Sequence, residues 1–214
     1  MYTFPMNYRT IAKNGSTEET IKKSRFICQA KRITNEAEGR DFITQIKKEH
    51  YKARHSCSAM IIGENSDIKR SSDDGEPSGT AGIPMLSVLE KKQLTNLVLV
   101  VTRYFGGIKL GTGGLIRAYS GGAANTLKAL GIVEVKKQTG LRLELTYPQY
   151  QTFANFLKEH QLQEYDTDFS VTVNTTIYVD KKDIEFTLDQ LTEFYQGKLK
   201  SHVAGNQIIE VPVI

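Results

Sequence analysis

The sequence predicts an α+β chain in two parts, and three observations lead there. Residues 141–213 carry apolar side chains at strand and helix periods in the order βαββαβ. The first half interleaves apolar strand runs with amphipathic helical stretches. Charge divides the chain at about the same place: residues 1–137 hold 22 Lys and Arg against 13 Asp and Glu, a net of +9, and residues 138–214 hold 6 against 11, a net of −5. The expected parts are therefore 1–136 and 137–214. A cationic first part concentrates polyanions around it.

The second part is the more regular. Leu141-Arg-Leu-Glu-Leu145 alternates with the period of a half-buried strand. Pro148 opens a helix, where its missing N–H costs nothing, and Phe153, Phe156 and Leu157 share one face of it. A short strand near Gln161–Tyr165 follows, then a β-branched strand from Phe169–Val173 through Ile177–Val179. Ile184, Leu188, Leu191 and Tyr195 recur at helical spacing, with Asp180 or Asp183 placed to cap that helix. Ile208, Ile209, Val211 and Val213 make a last strand, which Pro212 ends at an edge. This is the split-βαβ ferredoxin-like plan. A linker is expected around Lys136–Gly140.

In the first part, a polar turn at Asn14–Thr17 leads to a strand over Arg25–Ala30. Asn35 and Glu38 form a capping box for a helix that buries Phe42, Ile43 and Ile46. Ser58–Ile62 reads as a strand, and Leu97–Val101 as one buried on both faces. Thr80–Gln93 and Leu115–Leu130 are the remaining helices. The second contains Gly121-Gly122, so either another backbone packs closely there or the helix breaks.

Composition sets limits on function. With 39% hydrophobic and 24% charged residues, the chain is not of the disordered class. The five-residue stretch Leu97–Val101 is the longest apolar run, against the ~20 residues that cross a bilayer. The first thirty residues scatter Arg9, Lys13, Glu18 and Lys22 and contain no signal-peptide core. Neither a membrane protein nor an exported one is expected. Cys28 and Cys57 cannot build a disulfide framework, so reduced thiols and a cytoplasmic location follow.

Glycine marks where chemistry can reside. Ten of the 17 glycines fall between Gly75 and Gly122, most of them in the segments Ser72–Gly82, Arg103–Gly107 and Lys109–Gly114. Glycine lets backbone N–H groups approach a ligand closely. The third segment runs into a helix, where free amides and the helix dipole favour an anion. Arg103, Lys109 and Arg117 can neutralise phosphates there, with Gly111, Thr112, Gly113 and Gly114 supplying backbone donors. Tyr104 and Phe105 either stack on bases or pack in the core. Arg54, His55 and Arg70 can extend the patch. The spacing matches neither G-x-x-x-x-G-K-[ST] nor G-x-G-x-x-G, and tight turns that serve only packing remain the alternative.

Asp73, Asp74 and Glu76 can hold Mg²⁺ through oxygen ligands. Otherwise Asp74-Gly75 is a turn, and Ser78 or Thr80 caps the helix behind it. His50, His55 and Cys57 raise a Cys-His nucleophile, without an identifiable third group.

The stretches Ser71–Leu86 (SSDDGEPSGTAGIPML) and Asn96–Ser120 (NLVLVVTRYFGGIKLGTGGLIRAYS) strongly resemble the IMPACT/YigZ family, as do KSRFI at Lys23–Ile27 and ARHSC at Ala53–Cys57. The resemblance implies a first domain of the βαβ type found in a small-subunit ribosomal protein and in domain IV of elongation factor G. It implies a second domain like domain V of that factor. It also implies binding to RNA or the ribosome in the regulation of translation, with no enzymatic activity attached to the motif and a protein partner in translation control as a further possibility. The RWD domain that precedes the motif in eukaryotic members has no counterpart here, so their restraint of an initiation-factor kinase is not expected to carry over. The competing expectations are a Mg²⁺-dependent hydrolase or transferase acting on a small phosphorylated or peptide substrate, and a module whose acidic second part docks a basic partner.

Overall fold

Five α-helices, one short 3-10 helix (Lys181–Asp183) and ten strands form in the computed structural model, which describes residues 7–213. They are β1 (Asn7–Ile11), β2 (Gly15–Ile21), β3 (Ser24–Arg32), α1 (Glu36–Glu49), β4 (His55–Ile62), β5 (Ile68–Ser72), α2 (Gly82–Lys91) and β6 (Leu97–Tyr104). There follow α3 (Thr112–Leu130), β7 (Ile132–Leu145), α4 (Tyr147–Glu159), β8 (Glu164–Phe169), β9 (Val173–Val179), α5 (Ile184–Phe194) and β10 (Lys200–Pro212). The fold is α+β. Its contacts divide it into two units: one runs to Val135 and takes in Glu210 and the residues after it, and the other spans Lys136–Ile209.

The first unit is built on a sheet of order β2-β3-β6-β4-β5, antiparallel at every pairing. β6 sits at its centre, and Leu97 to Val101 have no exposed surface, because helices cover both faces. On one face, Ile46 of α1 packs with Ile33, Met60, Ile62, Val98 and Val100. On the other, α2 and α3 bring Met85, Leu89, Leu115, Tyr119 and Leu127 against Phe26, Cys57, Leu99 and Val101. Asn35 caps α1 as expected, its side chain accepting from the Glu38 amide. Glu38 reaches back to the Thr34 amide and hydroxyl.

Several local expectations are corrected. Residues 15–21, read as leaving a polar turn, form β2; the turn lies at Lys22-Lys23, both at positive φ (45° and 67°). A strand made mostly of Ser, Thr and Glu escapes a search for apolar periodicity. β4 begins three residues earlier than expected, at His55. α3 is unbroken through Gly121-Gly122: a Cβ on Gly121 would meet nothing within 4 Å, and one on Gly122 would lie 3.3 Å from a Glu19 carboxylate oxygen on β2. Close packing against a side chain, not a backbone, accounts for Gly122.

In the second unit, β10 pairs with β7, β7 with β9 and β9 with β8, the 4-1-3-2 order of a ferredoxin-like βαββαβ unit. Pro148 falls in the first turn of α4, and Thr146 with Gln149 completes a capping box ahead of it. Phe153, Phe156, Leu191 and Ile177 centre the core. Residues 136–140, expected as a linker, lie inside the continuous strand β7. The strand expected from Phe169 onward is split: Phe169 ends β8, a tight turn follows in which the Ser170 amide donates to the Thr172 carbonyl, and β9 starts at Val173. Neither Asp180 nor Asp183 caps α5 through its side chain; Asp180 accepts from Lys136 and Gln138 instead (both 3.0 Å).

Candidate functional site

Antiparallel pairing brings the starts of β3 and β4 to the end of β6: Arg25 lies opposite Tyr104, and His55 opposite Arg103. Three segments gather at this end of the sheet, namely the Lys22-Lys23 turn, the acidic loop after β5, and the glycine loop from Phe105 to Gly111. The contact between turn and glycine loop is tight. The Gly106 amide donates to Ser24 Oγ (3.2 Å), and a Cβ on Gly106 would lie 1.9 Å from the Lys23 carbonyl oxygen. Only glycine fits there.

The acidic loop is structural. Asp73 accepts from the amides of Gly79, Ala81 and Gly82 at 2.8–2.9 Å, and so caps α2 from nine residues upstream. Burial opposes its ionisation, but the three amides together prevail and hold its carboxyl below the usual range. Neither Ser78 nor Thr80 is the cap; the Thr80 hydroxyl donates to the Pro77 carbonyl. Asp74 accepts from the Ser56 amide (2.7 Å) and from Lys47 Nζ (2.5 Å). Glu76 turns into the interior. The three carboxylates expected to share Mg²⁺ thus serve three separate places, and among the described residues no three Asp, Glu, His or Cys side chains converge as a metal cluster.

Arg103 is also corrected. Its side chain is 6% exposed and that of Glu76 4%, and Arg103 Nη1 donates to Glu76 Oε1 at 2.8 Å. The Tyr119 hydroxyl donates to the same oxygen (2.8 Å). This guanidinium is committed to an internal ion pair and does not reach an outside phosphate. Tyr104 is half-buried, its hydroxyl hydrogen-bonded to His50 Nδ1 (3.0 Å) and its ring beneath Arg25. His55 and Cys57 share the face of β4 that meets α2 and α3. His55 Nδ1 donates to the Asp74 carbonyl (2.9 Å) and the Cys57 thiol to the Asp73 carbonyl (2.9 Å). Burial, with Glu76, Asp74 and Asp73 nearby, pushes the Cys57 thiol up to about 12. A thiol so reluctant to ionise is no nucleophile.

Beside the exposed Arg25–Glu18 pair (2.6 Å), unpaired cations face solvent at this end. Lys22, Lys23, Arg54, Lys109 and Arg117 are exposed, and among the described residues none forms an ion pair. α3 opens beside them. Gly111, at φ 72°, occupies its N-cap without a side-chain cap, and the first helical bond is donated by the Leu115 amide. The amides of Thr112, Gly113 and Gly114 have no intrahelical partner. The Arg117 guanidinium lies back over this turn, 3.6 Å from where a Cβ on Gly113 would sit. Exposed Phe105 completes the patch.

Arg70 does not join. It lies on the α1 face of the sheet, bonded to Glu36 (3.1 and 3.2 Å), in a groove of about 350 Å³ with Arg40 and Lys47. Clefts of about 410 and 400 Å³ open at the opposite end of the sheet, around Arg9, Glu64 and Asn96, and carry charges of both signs. The sequence reading missed Lys22 and Lys23. Adjacent lysines before a strand were the available signal, hidden by placing the turn too early.

Comparison with known proteins gives the following. The profile described as the Impact N-terminal domain matches residues 22–127, and a domain of unknown function (DUF1949) matches residues 143–198. The chain is 44% identical over 192 residues to the IMPACT family member YvyE of Bacillus subtilis, covering 90% of this chain and 88% of that one. It is 34% identical over 184 residues to the IMPACT family member YigZ of Escherichia coli, covering 85% and 90%. A crystal structure described as that of a hypothetical protein superposes with a TM-score of 0.59 at 30% identity, covering 94% of this chain and 98% of the other.

Proposed function

The chain belongs to the IMPACT family, and we propose that the loop end of its first unit binds the phosphate backbone of RNA, free or in the ribosome, in the regulation of translation. One observation carries this reading: Lys109 and Arg117 flank the open amides of α3, Lys22, Lys23 and Arg54 add exposed, unpaired cations at the same loop end of the unit, and the carboxylates of the acidic loop are turned inward or paired. An anion held there meets backbone donors, the positive end of a 19-residue helix and point charges together. The location in this reading is the cytoplasm. Both cysteines are free thiols, and no helix among the described residues is long and apolar enough to cross a membrane.

The test is RNA affinity against salt. Neutralising five phosphates on a single strand gives a slope of log K against log salt of about −3.5, because condensed counterions are released. Anisotropy of a labelled single-stranded RNA, and co-sedimentation with ribosomes at two salt concentrations, read it out. The double substitution Lys109→Ala/Arg117→Ala is expected to make the slope shallower by about 1.4. A flat salt response, or no binding at low salt, refutes the proposal. Partner capture that depends on the acidic second unit and not on these cations would show a protein-docking role instead.

A further inference from the structure

Phe105 is 54% exposed in the glycine loop that meets the Lys22-Lys23 turn, yet it is held from beneath. The Arg103 guanidinium lies 5.5 Å from the Phe105 ring centroid and 5.5 Å from that of Phe26, so the three side chains form a column from core to solvent. Each lower member is fixed in turn. Phe26 meets Tyr119 edge to face at 5.5 Å, and Arg103 is pinned by Glu76 and by Ser24 Oγ (3.4 Å). Arg103 Nε is buried without a hydrogen-bond partner, so the guanidinium is held by its stacking position and one edge rather than by a full set of bonds. The loop cannot slide either, since Gly106 is wedged against Lys23 and Ser24.

Resting on the reading just given, we infer that Phe105 is a preordered stacking platform for an unpaired base, so that the RNA bound here is single-stranded. Exposing a phenyl ring costs hydrophobic stabilisation, and fixing it from behind removes the entropy a floppy ring would lose on binding. Lys109, four residues along the same loop, the Lys22-Lys23 turn and the α3 amides flank the ring with phosphate-binding groups. A positive track beside a rigid aromatic face is the arrangement that engages single strands, whose bases have free faces. In an A-form duplex those faces are already stacked, and the deep groove denies side chains access. The unpaired charge beside the ring is cationic, with Glu18 already paired to Arg25, and this favours the continuous polyanion of a nucleic-acid strand over an acidic peptide, whose carboxylates are spaced irregularly.

The chain contains no tryptophan, so a Phe105→Trp variant carries a single reporter at the platform itself. Short oligouridine and oligoadenosine strands, and an RNA duplex of equal length, are titrated against it. Anisotropy of the labelled RNA reads binding and indole emission reads stacking. Expected are quenching that saturates together with the anisotropy for single strands, and weaker binding with little quenching for the duplex. Phe105→Ala is expected to weaken single-strand binding between about 5-fold and about 150-fold while leaving duplex binding unchanged, and Phe105→Tyr to preserve it. RNA binding with unaltered emission, or equal loss for both RNA forms in Phe105→Ala, overturns the platform and leaves the phosphate-binding proposal standing. No RNA binding at low salt removes both. Quenching by polyglutamate without quenching by RNA assigns the surface to a protein partner and refutes the inference. Thermal melts matching the unsubstituted chain confirm that each variant is folded.

Discussion

The Glu76–Arg103 ion pair yields a stability test with a magnitude. Both side chains are at least 94% buried, and one Glu76 oxygen serves Arg103 and Tyr119 together. Glu76→Ala leaves a buried guanidinium whose remaining hydrogen bond is the 3.4 Å contact to Ser24, and leaves the Tyr119 hydroxyl without its acceptor. Breaking a buried pair from one side costs about 3–5 kcal/mol, most of it the uncompensated charge. With a urea dependence of about 2 kcal/mol per molar, the unfolding midpoint of the first unit should fall by roughly 1.5–2.5 M. Urea titration followed by far-ultraviolet circular dichroism measures this, with hydrogen exchange of the β6 amides assigning the transition to this unit. Removing both partners, as in Glu76→Leu/Arg103→Met, should recover most of the loss, since apolar replacement of a buried pair is often neutral or better. A midpoint shift below about 0.5 M in Glu76→Ala would refute the argument that this charge is committed to the interior, and Arg103 would then return to the set of phosphate-binding candidates.

Two further outcomes follow from the same end of the sheet. The Asp73 carboxyl is held below its ordinary range in the folded chain, so its contribution is complete above the unfolded value near 3.9 and is lost as pH falls through the lower folded value. Asp73→Ala should therefore cost about 0.5–2 kcal/mol at pH 7, and its melting curve should converge on that of the unsubstituted chain as the pH drops below about 4; a gap independent of pH would show that charge plays no part in the cap. For the glycines, Gly121→Ala should stabilise by about 0.5–1 kcal/mol, because the added methyl group meets nothing and helix entropy improves. Gly106→Ala should instead disrupt the loop, its Cβ falling 1.9 Å from a backbone oxygen, and equal melting temperatures for the two variants would contradict that geometry.

Elements whose evidence is local were legible from the residues alone. The α4 helix is announced by Pro148, Phe153 and Phe156, α1 by Asn35 and Glu38, and the doubly covered strand β6 by its unbroken apolar run, because each signal lies within one element and repeats at that element's own period. β2 was missed because Gly15–Ile21 presents polar side chains on both faces, so pairing with β3 rather than periodicity makes it a strand. The concentration of glycine and positive charge in the first part, and its family, were likewise open to reading. Which charges are free to act was not. Arg103 and Glu76 stand 27 residues apart, and Asp73 reaches amides up to nine residues ahead, so their commitments arise only when β6, the acidic loop and α3 close together. The same closure moved Arg70 to the α1 face, by the alternation of β5, and brought Lys22 and Lys23 into the patch, by the antiparallel register of β2, β3 and β6. Residue types and short-range periods are properties of the chain itself. The availability of a charge depends on what desolvates and pairs with it, and that is decided by contacts between distant segments.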